Sequence, residues 1–179
     1  MRAADSQKRI VVLKQCSYIV NMDDYRHQRF MKIAFDEAQR AFEKAEVPVG
    51  AVVVFEDRVI GRGHNQTEGL HDATAHAEMI ALSAAYNHFG DWRLQECALF
   101  STLEPCPMCA GAAMLSRIEI IVYGVTDPKF GACGSILDIP SEKRFNHNIE
   151  VISGVMEPEI TELMKLFFQQ VRKSKETIN

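Results

Sequence analysis

Two short motifs constrain this chain more than any other feature, because each must stand at the start of a helix and the fold must bring the two together. The first is His76-Ala-Glu78, and the second is Pro105-Cys-Pro-Met-Cys109. Proline fits the first position of a helix, so Pro107 makes Cys106 the N-cap and places Cys109 three residues further on. Both sulfurs then converge beside the free N–H groups of that helix, whose positive end favours thiolates.

One imidazole and two thiolates suit a zinc ion. They supply three ligands and leave the fourth tetrahedral position open, which is typical of catalytic zinc sites. Zinc with an open position activates a water molecule at neutral pH, and Glu78 is placed to carry the proton. We therefore expect one zinc ion per subunit, held by His76, Cys106 and Cys109, with Glu78 as the catalytic acid and base.

Two other interpretations of these residues stay open at this stage. Cys106 and Cys109 could be merely buried small residues, as we expect Cys97 and Cys133 to be. A fourth protein ligand could instead close the site and make it structural. Three histidines are available for that role: His64, His71 and His147.

Helix and strand patterns alternate along the chain. Apolar residues at helical spacing run from Tyr25 to Lys44, and Pro48 ends that pattern. The remaining elements are predicted in this order: hairpin strands at 49–55 and 58–61, a helix at 74–88, a strand at 98–102, a helix at 107–117, strands at 118–124 and 149–153, and a last helix from 158 to about 175. This alternation predicts an α/β fold, a three-layer α/β/α sandwich around a central five-stranded mixed sheet.

The ends and the cysteines indicate one domain in a reducing compartment. The 179 residues suffice for a single hydrophobic core. Residues 1–21 carry no helical period or motif, and the apolar stretch Ile10–Leu13 is too short for a signal peptide or a membrane span. We expect a dispensable extension at 1–21 and a catalytic domain at 22–175. Five cysteines without a disulfide-like spacing favour a cytoplasmic protein.

The motif residues lie within longer stretches that resemble one known family. These stretches are Val47–Ala51, Gly63–Asn65, His71–Glu78, Thr102–Ala112, Ser116–Ile118, Gly131–Ser135 and Phe145–His147. His-x-Glu followed by Pro-Cys-x-x-Cys is the signature of zinc-dependent nucleobase deaminases. The chain resembles the cytidine-deaminase-like superfamily and, within it, the bacterial tRNA-specific adenosine deaminases, over nearly all of residues 25–172.

This resemblance implies a cytidine-deaminase-like zinc-dependent deaminase domain at 22–175. The implied activity is hydrolysis of adenosine to inosine at the wobble position of a tRNA anticodon, with release of ammonia. His76, Cys106 and Cys109 would bind zinc, and Glu78 would move protons. The resemblance also implies a homodimer that binds the tRNA anticodon stem-loop and whose active sites are completed by the neighbouring subunit. We expect no organic cofactor.

Five further residues are candidates for substrate contacts. They are Asn65 and His71 in the loop before the zinc helix, Asp127 after the fourth strand, and Phe168 and Arg172 on the last helix. By the resemblance, Asn65 binds the flipped base and Asp127 contacts the adjacent nucleotide. For Asn65, His71 and Asp127 the alternative is an ordinary turn or loop role.

The charge distribution bears on whether the protein binds RNA. The net charge is −4, with 20 Lys and Arg against 24 Asp and Glu, whereas nucleic-acid binders are commonly basic. Residues 163–175, however, contain four basic residues and no acidic one. On a helix Lys165, Phe168, Arg172 and Lys175 form one stripe, which we expect to contact phosphates and stack a base. A solvated face with Phe168 completing the core is the alternative. Few phosphate contacts predict a shallow salt dependence of binding.

Two other functions fit parts of the sequence. A zinc deaminase of a free base or nucleotide, of the guanine or cytidine type, would share the same zinc residues and agree with the acidic net charge. A non-catalytic partner subunit that binds tRNA is disfavoured, because such a subunit can lack the carboxylate that Glu78 provides.

Overall fold

Helices and strands alternate through residues 24–178, the part of the chain that the computed structural model describes. The predicted extension at 1–21 lies outside the described residues. Helix α1 covers residues 24–43. The later elements are β1 (Gly50–Phe55), β2 (Arg58–His64), α2 (Thr67–Leu70), α3 (Ala77–Phe89), β3 (Ala98–Leu103), α4 (Pro107–Leu115), β4 (Ile120–Val125), β5 (Glu150–Ile152) and α5 (Glu157–Ile178).

The five strands form one open mixed sheet in the order β2-β1-β3-β4-β5. Strand β1 pairs antiparallel with both β2 and β3. A tight turn at Glu56 and Asp57 joins β1 to β2. Strands β3, β4 and β5 run parallel. Helix α4 therefore makes the crossover between β3 and β4, which places its N-terminus at the carboxyl end of β3.

Successive residues of β1 are buried on opposite faces of the sheet, as the strand geometry requires. Ala51 and Val53 belong to the apolar cluster that α3 and α4 cover. Val52 and Val54 belong to the cluster that α1 and α5 cover. A sheet buried on both faces by helices is the three-layer α/β/α sandwich that the sequence predicts, so the predicted fold class is confirmed.

Helix α1 packs against the sheet at backbone distance. A Cβ atom added at Gly50 would lie 2.1 Å from the carbonyl oxygen of Ala34 and 2.3 Å from the amide nitrogen of Ala38. Only glycine allows this approach at the start of β1.

Near the two motifs, the structure differs from the sequence prediction in two element boundaries and one additional helix. Helix α3 begins at Ala77 instead of Thr74, because His76 has an extended backbone (ψ 151°) and acts as the N-cap. Strand β2 continues to His64, and the short helix α2 occupies a segment predicted to be a loop. None of the helices in the described part of the chain combines the length and the apolar character needed to cross a membrane.

Candidate metal centre and the adjoining cavities

Two helix starts carry the candidate ligands, as the motifs predict. His76 is the N-cap of α3, and Cys106 is the N-cap of α4 with Pro107 at the first helical position. Cys109 lies in the first turn of α4 and is fully buried. Since α3 and α4 cover the same face of the sheet, their N-termini point the three side chains at one another.

The three ligand atoms are spaced as a metal ion requires. Nδ1 of His76 lies 3.6 Å from Sγ of Cys106 and 3.6 Å from Sγ of Cys109, and the two sulfurs are also 3.6 Å apart. In a tetrahedral zinc site with ordinary bond lengths, two sulfurs are about 3.8 Å apart and a sulfur and a nitrogen about 3.6 Å apart. The donor set and its spacing therefore fit a metal ion such as zinc without rearrangement.

The charge states of the three side chains are coupled. The hydrogen bond with Cys109 lowers the pKa of the Cys106 thiol to about 4. Sharing that proton with Cys106, together with burial, raises the pKa of Cys109. The hydrogen bond to Cys106 also raises the pKa of His76. The site thus concentrates negative charge beside an imidazole, the electrostatic environment that a divalent cation favours.

Glu78 lies beside this cluster in the first turn of α3 and is only 3% exposed. It lines a cavity of about 540 Å³ together with His76 and Cys106. Burial raises the pKa of Glu78 to about 7, against the opposing effect of backbone hydrogen bonding and of His76. A carboxyl group in this position can exchange a proton with a molecule in the cavity.

The histidines that could have closed the site are engaged elsewhere or exposed. The His64 ring lies 3.3 Å from Glu37 and 2.9 Å from Lys44. The His147 ring lies 2.6 Å from the carbonyl oxygen of Ile118, and His71 is exposed at the C-cap of α2. Among residues 24–178 the cluster that could hold a metal therefore has three protein ligands. Cys97 and Cys133 are buried, and burial raises the pKa of each thiol to about 12.

Asn65 stands directly after β2 and lines the same cavity. Its Nδ2 donates to Oε2 of Glu46 at 3.1 Å, and Oδ1 accepts from the hydroxyl of Thr67 at 3.0 Å. His71 does not line this cavity. The structure thus brings Asn65, but not His71, to the candidate metal centre.

Asp127 lines the cavity from the loop after β4. Its carboxylate accepts hydrogen bonds from the backbone N–H groups of Lys129 and Phe130, so it also turns the loop. The buried carboxylate of Glu104 holds this loop in place by hydrogen bonds. It accepts from the backbone N–H groups of Asp127 (3.0 Å), Cys133 (2.9 Å) and Ser135 (3.0 Å), and from the Ser135 hydroxyl.

A second cavity of about 750 Å³ adjoins the first and shares Asp127 and Phe130 with it. Helix α5 lines it with Lys165, Phe168 and Arg172. Phe168 is 44% exposed and its ring stacks edge-on against the buried Phe167. Phe168 therefore does not complete the core, and three residues of the stripe, Lys165, Phe168 and Arg172, line a cavity.

Sequence reasoning missed two buried acidic residues at the site, Glu46 and Glu104. Glu46 stands next to a stretch that carries the family resemblance and Glu104 lies within one, yet no motif gave either residue a role. A usable signal was present in each case, because an acidic residue beside a buried strand must find hydrogen-bond donors.

Comparisons with known proteins agree with this geometry. The family of MafB19-like deaminases matches residues 25–172. A tRNA-specific adenosine deaminase of Bacillus subtilis (strain 168) is 48% identical over 146 residues, 82% of this chain and 91% of its own length. A structure from studies of A-to-I editing by tRNA:A34 deaminases at the wobble position has a TM-score of 0.72 and 44% identity, over 75% of this chain and 98% of that one. A guanine deaminase from Bacillus subtilis has a TM-score of 0.53 and 34% identity, over 56% of this chain and 64% of that one.

Proposed function

We propose that this chain, which belongs to the MafB19-like deaminase family and within it to the tRNA-specific adenosine deaminases, hydrolyses adenosine to inosine and ammonia at the wobble position of a tRNA anticodon. One observation carries the proposal. Two of the three clustered metal ligands, His76 and Cys106, line a single cavity together with the buried carboxylate of Glu78, in a chain that matches an adenosine deaminase over most of both lengths.

The metal ion we propose is zinc, one per subunit, held by His76, Cys106 and Cys109. When bound, zinc supplies a Lewis acid and an activated water molecule. Glu78 supplies the proton transfers. Its carboxyl takes one proton from the attacking water and delivers it to N1 of the adenine ring. It then takes the second proton from the hydroxyl group that now stands on C6 and delivers it to the departing amine, so one group acts in turn as base and as acid.

Asn65 is proposed to bind the target base. Its amide is buried at the wall of the cavity, beside the metal cluster, where a hydrogen bond can orient a purine. A base in a duplex cannot reach such a recessed site, so the target must be unstacked, which favours an anticodon loop.

The second cavity is proposed to hold the RNA that flanks the target. Phe168 offers an aromatic face for stacking a base, and Lys165 and Arg172 offer positive charge for phosphates. Asp127 lies between the two cavities, where it can contact the neighbouring nucleotide. His71 is exposed outside the first cavity, so a contact with RNA there would have to come from the outer part of the stem-loop.

We also propose that the active species is a cytoplasmic homodimer. Four large apolar side chains stand exposed at the end of α4 and in the loop before β5: Leu115, Ile136, Leu137 and Phe145. Covering them against a second copy would remove this apolar surface from water. Light scattering on the eluting protein should give twice the chain mass, and a fully active monomer would contradict the dimer.

The four cysteines in the described part of the chain are free thiols, which suits a reducing compartment such as the cytoplasm.

A substrate panel tests the proposed activity. The protein is incubated with an anticodon stem-loop carrying adenosine at the wobble position, and separately with free adenosine, guanine and cytidine, and ammonia release is measured. Only the stem-loop should yield product. Guanine is the informative competitor, because a guanine deaminase is among the similar structures. Product from guanine alone would replace tRNA editing with deamination of a free base.

A further inference from the structure

The carboxylate of Glu46 is buried beside the first cavity and accepts hydrogen bonds from three N–H groups. It is 2% exposed and lies in the turn between α1 and β1. Its Oε1 accepts from the backbone N–H of Gly69 at 2.7 Å, and Oε2 accepts from the backbone N–H of Glu68 at 3.2 Å. Helix α2 is thereby fastened to the turn, and the remaining hydrogen bond goes to the side chain of Asn65.

This third hydrogen bond determines the orientation of the Asn65 side-chain amide. An amide has two N–H donors and an oxygen with two lone pairs, whereas an ionised carboxylate can only accept. Rotating the amide by 180° would place its oxygen against the Glu46 carboxylate, two acceptors face to face. The hydroxyl of Thr67 does not prevent such a rotation, because it can rotate and either donate or accept. Glu46 is therefore the group that fixes the amide.

Fixing the amide leaves a defined pattern for the substrate. One Nδ2 hydrogen is used by Glu46 and one Oδ1 lone pair by Thr67. One N–H and one lone pair remain, in a set order, on a side chain that lines the cavity. A reversed amide would offer the same two groups in the opposite order and would misdirect its hydrogen bonds to a purine.

We propose that Glu46 is a positioning and specificity-determining residue, which holds the Asn65 amide in the one orientation that recognises the target adenine. The inference rests on the proposed function, since it assigns the order of the hydrogen-bonding groups that meet the base. Glu46 acts through Asn65 and does not itself touch the reacting atoms.

The diagnostic variant is Glu46→Gln. Its side-chain oxygen keeps the short hydrogen bond from Gly69 (2.7 Å), so its NH₂ group faces the backbone N–H of Glu68 and Nδ2 of Asn65, donor against donor. The opposite orientation of the glutamine would give up the shorter hydrogen bond from Gly69 to keep the longer one from Glu68 (3.2 Å). The Asn65 amide then turns over to place its oxygen against the new NH₂ group, and Thr67 follows by rotating its hydroxyl. We expect kcat/KM for the wobble-adenosine stem-loop to fall by about 10-fold or more, the effect of one misdirected hydrogen bond to a ligand.

A double-mutant cycle distinguishes positioning from a loss of stability. The kcat/KM of wild type, Glu46→Gln, Asn65→Ala and the double variant is measured, with Glu43→Gln as the control, an exposed acid three residues earlier on the same chain segment. If Glu46 acts through Asn65, Glu46→Gln costs nothing further once Asn65 is alanine. Additive losses would overturn the proposal, as would a Glu46→Gln variant as active as the Glu43→Gln control.

The cycle also separates this proposal from the proposed function. A wild-type protein without activity on the stem-loop would refute the function itself, whereas an active wild type with an additive cycle would refute only the role of Glu46. If Glu46→Gln does not fold, Glu46→Asp replaces it, because an aspartate keeps the charge but is one methylene too short to reach α2 and Asn65 together. The same non-additivity with Asn65→Ala is then expected, and additivity again overturns the proposal.

Discussion

Removing the Glu104 carboxylate should destabilise the loop after β4, whose residues Asp127 and Phe130 line both cavities. Glu104 is 1% exposed and accepts three backbone N–H groups and the Ser135 hydroxyl. Burial alone would raise the pKa of Glu104, but the hydrogen bonds from Ser135, Asp127 and Cys133 outweigh burial and hold it below its ordinary value. The carboxylate is therefore charged at neutral pH, and its hydrogen bonds are of the stronger, charge-assisted kind.

The size of the effect follows from the donors left behind. In Glu104→Ala three backbone N–H groups lose their acceptor, at about 1–3 kcal/mol for each donor that stays buried and unpaired. Allowing for water entering the gap, the free energy of unfolding should fall by about 3–5 kcal/mol. Glu104→Gln keeps the oxygen that serves Cys133 and Ser135 but turns a donor toward the Asp127 N–H. It should therefore cost about 1–3 kcal/mol.

Denaturant unfolding of the three proteins measures these differences, and stem-loop kinetics measure their functional consequence. Because the loop carries Asp127 and Phe130 into both cavities, KM should rise more than kcat falls. The matched control is Glu142→Gln, which removes an acid of the same loop that pairs with the exposed Arg144 and should leave stability essentially unchanged. The reasoning fails if Glu104→Ala is no less stable than this control, or if glutamine proves worse than alanine.

Three further predictions concern packing, chemistry and the chain's start. Gly50→Ala should destabilise the fold by about 1–3 kcal/mol or more, because its Cβ meets the backbone of Ala34. Gly111→Ala, with nothing within 4 Å of its Cβ, should instead stabilise α4 by about 0.5–1 kcal/mol. Equal denaturation midpoints of the two variants would contradict this. Glu78→Gln should retain one bound metal ion by elemental analysis while turnover falls by about 100-fold or more, and near-normal turnover would remove its role. A chain beginning at Met22 should keep the circular dichroism spectrum and activity of the full chain, unless residues 1–21 belong to the domain.

Helix starts were predictable where the signal was local. Pro107 fixes the first helical position of α4 by its own ring, so the N-cap role of Cys106 and the convergence of the two sulfurs follow from neighbouring residues. The order of the strands in the sheet could not be predicted from such local signals. The alternation of helices and strands was sufficient to predict a three-layer fold, because helices then cover both faces of the sheet.

The features that sequence reasoning missed or left open depend on residues far apart in the chain. Helix α2 forms where Glu46 accepts its N–H groups from a turn more than 20 residues earlier. Glu104 gathers partners that lie 23 to 31 residues later. Phe168 stood at the border of an apolar helical face, where the 100° step per residue alone does not decide between core and cavity. The packing of α5 against α1, where Phe167 contacts Phe42, leaves Phe167 buried and Phe168 exposed.

The central claim is tested most directly by mapping inosine within one RNA. An anticodon stem-loop with adenosine at the wobble position and a second adenosine elsewhere in the loop is treated with excess enzyme, and each site is read by reverse transcription, in which inosine is copied as guanosine. We predict conversion at the wobble position alone, and none with Glu78→Gln. Conversion at both adenosines, or at neither while free guanine is deaminated, would contradict the account.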